Sequence, residues 1–578
     1  MNVRLAIRLF ALMLAALALP CPASEPPTAP TVAFDWFRYA GRDPQFGQPP
    51  RPGQYQNPVL AGFYPDPSVV RVGTDYYLVN SSFAYFPGLP IFHSTDLVHW
   101  KKIGHALNRR EQLAFESGQG ISRGIFAPTI RHHDGVFYVI TTDVDGIGNF
   151  IVTATDPAGP WSDPVVLPEI DGIDPDLFFD DGRAWIAHNG PPAGEPKYDG
   201  HRAIWLWEFD LQTAKVVPGS GRIIVDGGVD ISQQPIWIEA PHLHRVDGWY
   251  YLSCAEGGTA EGHSQVVFRT RKLEGPFEPW DRNPILTQRD LDPNRDPGRP
   301  NPVTSTGHAD LVQTQNGDWW AVFLGVRPYE GGFHNIGRET FLLPVTWQDG
   351  WPRILAPETP LPWQPQRPNL PLPTELPPPQ TGNFVWRDDF DGSVLNPEWV
   401  RVRSSPTEWW ALDSDNGQIW LDALPITLSE KQQPAFLARR QQHRAFDAAT
   451  RMELPRSEAV AAGLAAFQNS DFHYFMGVRR NKDAHELFLE QVRDGARTEL
   501  ARTELGEGHS HVVLGVEQHG ARFGFYYELG GDREWLQRDV DATLLSTQVA
   551  GGFVGTTLGI HARLSTTIEG CAFVKDCK

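Results

Sequence analysis

Residues 66–79 read DPSVVRVGTDYYLV: a carboxylate and a proline, an alternating apolar strand, a glycine turn, then an aromatic-rich second strand. The same order returns in APTIRHHDGVFYVI from Ala127, DPDLFFDDGRAWIA from Asp174, APHLHRVDGWYYLS from Ala240 and ADLVQTQNGDWWAV from Ala309. Asp-Gly or Asn-Gly between alternating apolar runs is the strongest short hairpin signal. The five segments align without a gap at intervals of roughly 47 to 69 residues, which is blade spacing for a β-propeller with some long loops. The reading is therefore five blades around a channel, spanning residues 55–350 or so.

In a propeller the first strand of each blade lines the channel, so equivalent positions at its start converge. Those positions hold Asp66, Ala127 after Phe126, Asp174, Ala240 after Glu239, and Ala309 after His308. Blades two and four place Ala where blades one and three place Asp, so the repeat itself does not need acids there. Pro65 and Pro67 flank Asp66, and this predicts an extended backbone at Tyr64 and Asp66 that aims the carboxylate.

Three acids brought to one mouth suit acid–base chemistry, and glycoside hydrolysis fits best, because it needs one carboxylic acid and one carboxylate. Glu239 sits among Trp237, Ile238 and Ala240. Apolar neighbours favour its protonated form, as a general acid requires. Asp66 then serves as base or nucleophile, and Asp174 tunes Glu239 and holds the sugar. Whether the anomeric centre inverts or is retained depends on the separation of the two carboxyls. Phe83 and Phe126 are placed to stack on a sugar ring. Arg338 can bind hydroxyls or pair with an acid, and His308 can bind substrate, water or a metal. Arg123, His263 and Asp310 are further polar candidates.

The chain has 578 residues, with 20 Trp, 54 Gly and 51 Pro against 4 Met, a composition of strands and turns. Its formal net charge of −20 argues against nucleic acid and against anionic membranes as partners. Residues 1–24 read as a signal peptide: Arg4 and Arg8, an apolar run Leu9 to Leu19, and Cys21-Pro22-Ala23 as cleavage region. The run is too short to span a bilayer, so the expected location is secreted or periplasmic. Cys571 and Cys577 can close a small loop, Cys254 reads as a buried strand residue, and no cysteine spacing resembles a zinc site.

NPVLAGFYPDPSVV, GIDPDLFFDDG, IWIEAPHL and TGHADL, in that order, resemble glycoside hydrolase family 43, which contains β-xylosidases and α-L-arabinofuranosidases. The resemblance implies a five-bladed propeller and an inverting hydrolysis that needs no metal. It implies Asp66 as general base, Asp174 as pKa modulator and Glu239 as general acid, with Arg338 and His308 at sugar-binding and channel positions. Phe83 and Phe126 match aromatic subsite positions; the second is often Trp in relatives. Some members place a calcium ion or a water near the channel histidine.

After the propeller, assigned to residues 25–355, a Pro-rich stretch at 356–383 reads as a semi-rigid linker. Residues 384–578 read as a jelly-roll β-sandwich similar to the concanavalin-like domain of β-xylosidase-type members. FVWRDDFDG and GGFVGTTLGIHA are among its expected strands. Its expected role is scaffold or a loop on the active-site rim; Trp409 and Trp410 keep a carbohydrate-binding module open. The acids of DDFDG can hold a structural calcium. The fold class is all-β, and the implied function is exo-acting release of β-D-xylose or α-L-arabinofuranose from xylo- or arabino-oligosaccharides. The insertions 109–122 and 191–201 are the loops expected to close the pocket. Alternatives are an arabinofuranosidase without xylosidase activity, an endo-arabinanase and a non-catalytic sugar-binding propeller.

Overall fold

The computed structural model describes residues 30–113, 115, 118–291, 302–405 and 407–565. All five hairpins form. Ser68–Val72 pairs with Asp75–Val79, Thr129–His133 with Val136–Asp143, and Ile173–Asp180 with Arg183–Gly190. Glu239–Val246 pairs with Trp249–Glu256, and Thr304–Gln313 with Trp319–Val326. At Asp134-Gly135, Asp181-Gly182 and Asp247-Gly248 both turn residues have positive φ, the tight hairpin turn whose twist matches the strands it joins.

Each hairpin opens a four- or five-stranded antiparallel sheet. The five first strands touch in sequence around a ring, and Ser68–Val72 closes it by meeting Thr304–Gln313. Arg131 crosses the channel to pair with Asp176 at 2.7 Å and Asp310 at 2.8 Å, while Ser68 Oγ donates to Asp310 at 2.7 Å. Four blades are thereby pinned through buried charges. Such a pair adds little over an apolar core, but removing one partner costs about 3–5 kcal/mol.

The second unit is a sandwich of two eight-stranded sheets, among the described residues. One sheet departs from the sequence-derived boundaries. Thr31–Gly41, assigned to the propeller, lies inside the sandwich sheet between Gln418–Asp422 and Ala445–Glu453. Val32, Phe34, Phe37 and Tyr39 fill the sandwich core with Trp399 and Met452. The strand's partners are roughly 400 residues away, and loop-closure entropy grows so slowly with length that such a pairing is affordable once the apolar face is buried. Nothing local in the sequence marks it.

Two other expectations are refined. The Pro-rich stretch, read as a semi-rigid linker, is bonded to the propeller: Tyr55 and Asn57 N–H donate to the carbonyls of Pro365 and Trp363, and Arg367 pairs with buried Asp96 at 3.1 Å. Leu361 and Leu370 are buried, so the stretch is strapped along the propeller flank. In GGFVGTTLGIHA only the second half is strand, Thr557–Leu564; the residues before it form a loop.

The units share one extensive interface. Tyr85–Phe86 pairs with Val400–Val402, so the propeller supplies an edge strand to the second sandwich sheet. Lys102 pairs with Glu398 at 2.8 Å, and Arg327, held within its own blade by Glu339 at 2.5 Å, reaches Asp43 at 3.0 Å. Thr556 N–H donates to Asn335 O at 2.7 Å. Cys254 is buried as expected, and no helix among the described residues is long and apolar enough to cross a membrane. Residues 1–24, read in sequence as a signal peptide, and Cys571 and Cys577 lie outside the described residues.

Candidate active site

The innermost strands do not run smoothly into the channel mouth. The pairing register slips between Ile173 and Asp176, between Glu239 and His242, and between Gly307 and Asp310. Each slip is a bulge that re-aims a side chain, and each carries a residue at positive φ: Asp174 (55°), Ala240 (50°) and His308 (54°). Asp66 occupies the equivalent place in blade one at φ 52°, so it is not extended as its flanking prolines suggest. A non-glycine residue there is strained by roughly 1–3 kcal/mol and persists only where the surroundings over-determine it. At Asp66 they do. Arg338 Nη1 donates to Oδ1 at 2.8 Å, and Ser81 Oγ donates to Oδ2 at 2.5 Å.

Asp66, Asp174, Glu239, Phe83, Phe126, His308 and Arg338 all line one cavity of about 500 Å³. The three acids are buried. Burial pushes the Asp66 carboxyl up, but the adjacent guanidinium of Arg338 and the Ser81 hydrogen bond outweigh it and hold the group below its usual range. His308 Nδ1 is 3.7 Å from Asp66, beyond hydrogen-bond reach. Burial pushes this imidazole down to about 3, so it is neutral, and the charge that holds Asp66 ionised is that of Arg338.

The other two acids shift the opposite way. Burial and the negative charge of Asp66 push Glu239 up to about 7. Burial, Glu239 and Asp66 push Asp174 well above the carboxylate range, although Ala240 N–H donates to it at 3.3 Å. The cavity therefore holds one carboxyl pulled toward ionisation and two pushed toward the protonated form.

The aromatic wall comes from both units. Phe553, in the loop before Thr557–Leu564, lies nearly parallel to Phe83 with centroids 6.1 Å apart and stands edge-on to Phe126. The Arg338 guanidinium lies 5.8 Å from the Phe83 ring and 5.5 Å from the Phe553 ring. Phe553 N–H donates to Ser122 Oγ at 2.8 Å, so the 109–122 insertion braces the wall, and none of its described residues lines the cavity. Gly337, just before Arg338, sits at φ 82°, and a Cβ there would lie 2.9 Å from both Gly555 N and Phe63. The backbone that carries Arg338 thus abuts the backbone that carries Phe553. The 191–201 insertion acts in the same indirect way: Gly200 O accepts from Trp237 N–H at 3.0 Å, and Trp237 lines the cavity.

Phe553 escaped the sequence reading because it belongs to no repeat; the Gly551-Gly552 pair before it, both at positive φ, is the one local sign of a turn. Trp237 reads in sequence only as an apolar neighbour of Glu239. Arg123 does line the cavity, paired with Asp145 at 2.6 Å. Asp310 and His263 do not: the first belongs to the channel network, and the second bonds Ser305 O at 3.1 Å.

In DDFDG two of the acids have partners within the sandwich. Asp388 accepts from Trp399 Nε1 at 2.8 Å and from Phe390 N–H at 3.0 Å, and Asp389 pairs with Arg387 at 2.6 Å. Among the described residues no three His, Cys, Asp or Glu side chains converge as a ligand set, around His308 or elsewhere. Trp409 is core, so it offers no sugar platform.

The model of glycosyl hydrolases family 43 matches residues 55–352, and that of the beta xylosidase C-terminal concanavalin A-like domain matches 387–572. The chain belongs to glycosyl hydrolase family 43. A xylosidase/arabinosidase of Butyrivibrio fibrisolvens is 39% identical over 513 residues, covering 88% of this chain and 95% of that protein. A non-reducing end alpha-L-arabinofuranosidase of Bacteroides ovatus is 35% identical over 527 residues, covering 88% and 91%. Among solved structures, a GH43_12 protein retrieved from capybara gut metagenome superposes with TM-score 0.86 at 39% identity, covering 93% of this chain and 100% of that one. The protein is a glycoside hydrolase, and catalysis in its family needs no cofactor.

Proposed function

We propose that this hydrolase is an exo-acting, inverting glycosidase that releases β-D-xylose, α-L-arabinofuranose or both from non-reducing ends of hemicellulose oligosaccharides. The observation that carries the reading is the opposite pull on two buried carboxyls in one cavity, Asp66 downward and Glu239 upward. Glu239 donates its proton to the glycosidic oxygen as the bond to the anomeric carbon breaks. Asp66 takes a proton from the water that attacks the opposite face of the sugar, which leaves the product with inverted configuration. Burial and the charge of Asp66 keep Glu239 toward its protonated form, and Asp174, which accepts from Ala240 N–H beside it, is the group assigned to orient the acid and hold the sugar. Arg338 keeps Asp66 ionised. Phe83, Phe126 and Phe553 supply the apolar walls on which a ring stacks.

Exo action is supported by the aromatic wall that Phe553 builds across one side of the cavity. The sugar class follows from the relatives, named xylosidase/arabinosidase and arabinofuranosidase. The Bacteroides relative favours a second reading, arabinofuranosidase action alone. Export to the periplasm or the medium is the location we propose, supported by the signal-like pattern of residues 1–24.

The test is chromatographic detection of free sugar from xylobiose and from arabinosylated xylo-oligosaccharides. Xylose from xylobiose upholds the dual reading, and arabinose alone selects the second. Oligosaccharide products without monosaccharide contradict exo action.

A further inference from the structure

Trp237 is the most exposed aromatic among the described residues, 39% exposed on the lining of the catalytic cavity. It stands in the short connection between Ile231–Gln233 and Glu239–Val246, where Ile236 is also exposed and Ile238 is buried. Its φ of 50° is a genuine outlier for a bulky side chain. A connection that only joined two elements would need neither the ring nor the strained backbone. Such strain persists where surrounding contacts fix it, and it gathers at functional sites.

Those contacts come from blade three and from the facing hairpin of blade four. Trp237 N–H donates to Gly200 O at 3.0 Å, and Gly257 N–H donates to Ile236 O at 2.9 Å. The guanidinium of Arg202 lies over the indole, 5.0 Å from the ring centroid. Arg202 Nε and Nη2 donate to Asn189 Oδ1 at 3.1 and 2.9 Å, and Asn189 Nδ2 donates to Ile238 O at 2.6 Å. Neither Arg202 nor Asn189 lines the cavity, so they back the ring and leave its cavity side open. The unit is close to the acid: burial and Asp66 push Glu239 up, and the charges of Arg338 and Arg202 pull against them.

The cavity has two unlike ends. Arg338 donates to Asp66 at 2.8 Å, and its guanidinium lies near the Phe83 and Phe553 rings, so the base sits with an enclosed aromatic wall. Glu239 sits instead with Asp174, which accepts from Ala240 N–H, and with the exposed Trp237 two residues before it. In an inverting hydrolysis water attacks from the side of the base, and the leaving sugar departs past the acid. The cleaved ring then occupies the enclosed end, and the leaving ring extends from Glu239 toward solvent.

We propose that Trp237 is the platform for the sugar on the leaving side of the scissile bond, and that this sugar is a xylopyranose whichever pentose is cleaved from it. An all-equatorial β-xylopyranose has no substituent on C5 and turns axial C–H bonds toward a ring face, a flat apolar contact that a furanose lacks. The inference rests on the proposed role of Glu239 as the acid.

The experiment compares the natural protein with Trp237→Ala and Trp237→Phe on xylobiose, on arabinosylated xylo-oligosaccharides and on the glycosyl fluoride of the released pentose, whose leaving group has no ring. The quantity read is the ratio of kcat/KM on the oligosaccharide to kcat/KM on the fluoride. We expect Trp237→Ala to lower this ratio about tenfold or more and Trp237→Phe to lower it less. Should Trp237→Ala fail to fold, Trp237→Leu, apolar but without a ring face, is read in the same way. Monosaccharide release with an unchanged ratio, or equal losses on oligosaccharide and fluoride, overturns the platform and leaves the proposed function standing. If the natural protein releases no monosaccharide, the proposed function fails, and calorimetric titration of the Glu239→Gln protein with xylobiose decides the platform. Binding weakened about tenfold by adding Trp237→Ala upholds it; binding that is absent or unchanged overturns it.

Discussion

Phe553 of the sandwich lies nearly parallel to Phe83 of the propeller, with centroids 6.1 Å apart, on the wall of the catalytic cavity. The sandwich therefore completes the site and is more than a scaffold. Phe553→Ala removes one apolar wall while the Ser122 bond to its backbone remains. We expect kcat/KM to fall roughly tenfold or more, chiefly through KM, with an unchanged melting temperature. Steady-state kinetics and a thermal melt check this; an unchanged KM contradicts a substrate-facing role.

Arg338 holds Asp66 in its ionised form. With Arg338→Met, burial acts on Asp66 without compensation. The acid limb of the kcat/KM profile should then move to higher pH, by about one unit or more, as well as the rate falling. An acid limb that stays in place shows that Asp66 is kept ionised by something else.

Glu239 is pushed up to about 7, so the basic limb of kcat/KM should lie near that pH. Stability follows the same linkage. A raised folded-state value contributes stability that is full below the unfolded value near 4.5 and is lost as pH rises through about 7. Glu239→Gln cannot ionise, so it should be more stable than the natural protein at pH 8, by up to about 3 kcal/mol, and no more stable at pH 4. Denaturation at the two pH values tests the sign; a variant less stable at pH 8 refutes it.

Thr31–Gly41 is an inner strand of a sandwich sheet. A fragment starting at residue 384 should fail to fold, because it lacks the strand carrying Phe34, Phe37 and Tyr39. A peptide of residues 30–45 added in trans should restore strand circular dichroism. A cooperatively folded fragment without the peptide contradicts this account.

The propeller and its three acids were legible because both are repeats. Hairpin turns have local chemistry, and a gapless alignment brings equivalent positions to one ring, so Asp66, Asp174 and Glu239 fell together without a template. The backbone at Asp66 was misread because proline rules are local, whereas Arg338 and Ser81, which fix its positive φ, are tertiary partners. Thr31–Gly41 and Phe553 were not legible for the same reason. Phe34 pairs opposite Met452, and Phe553 faces Phe83, so each takes its meaning from residues hundreds of positions away. The Pro-rich stretch showed stiffness in sequence but not the flank it lies against.

The central claim is that Glu239 protonates the leaving oxygen while Asp66 activates water. It is tested most directly by comparing Glu239→Gln on xylobiose, whose leaving group needs a proton, and on a dinitrophenyl xyloside, whose leaving group does not. The account predicts a loss of about 10²–10⁴-fold on xylobiose with much of the activity on the aryl glycoside retained. Equal losses on both substrates, or undiminished hydrolysis of xylobiose, would contradict it.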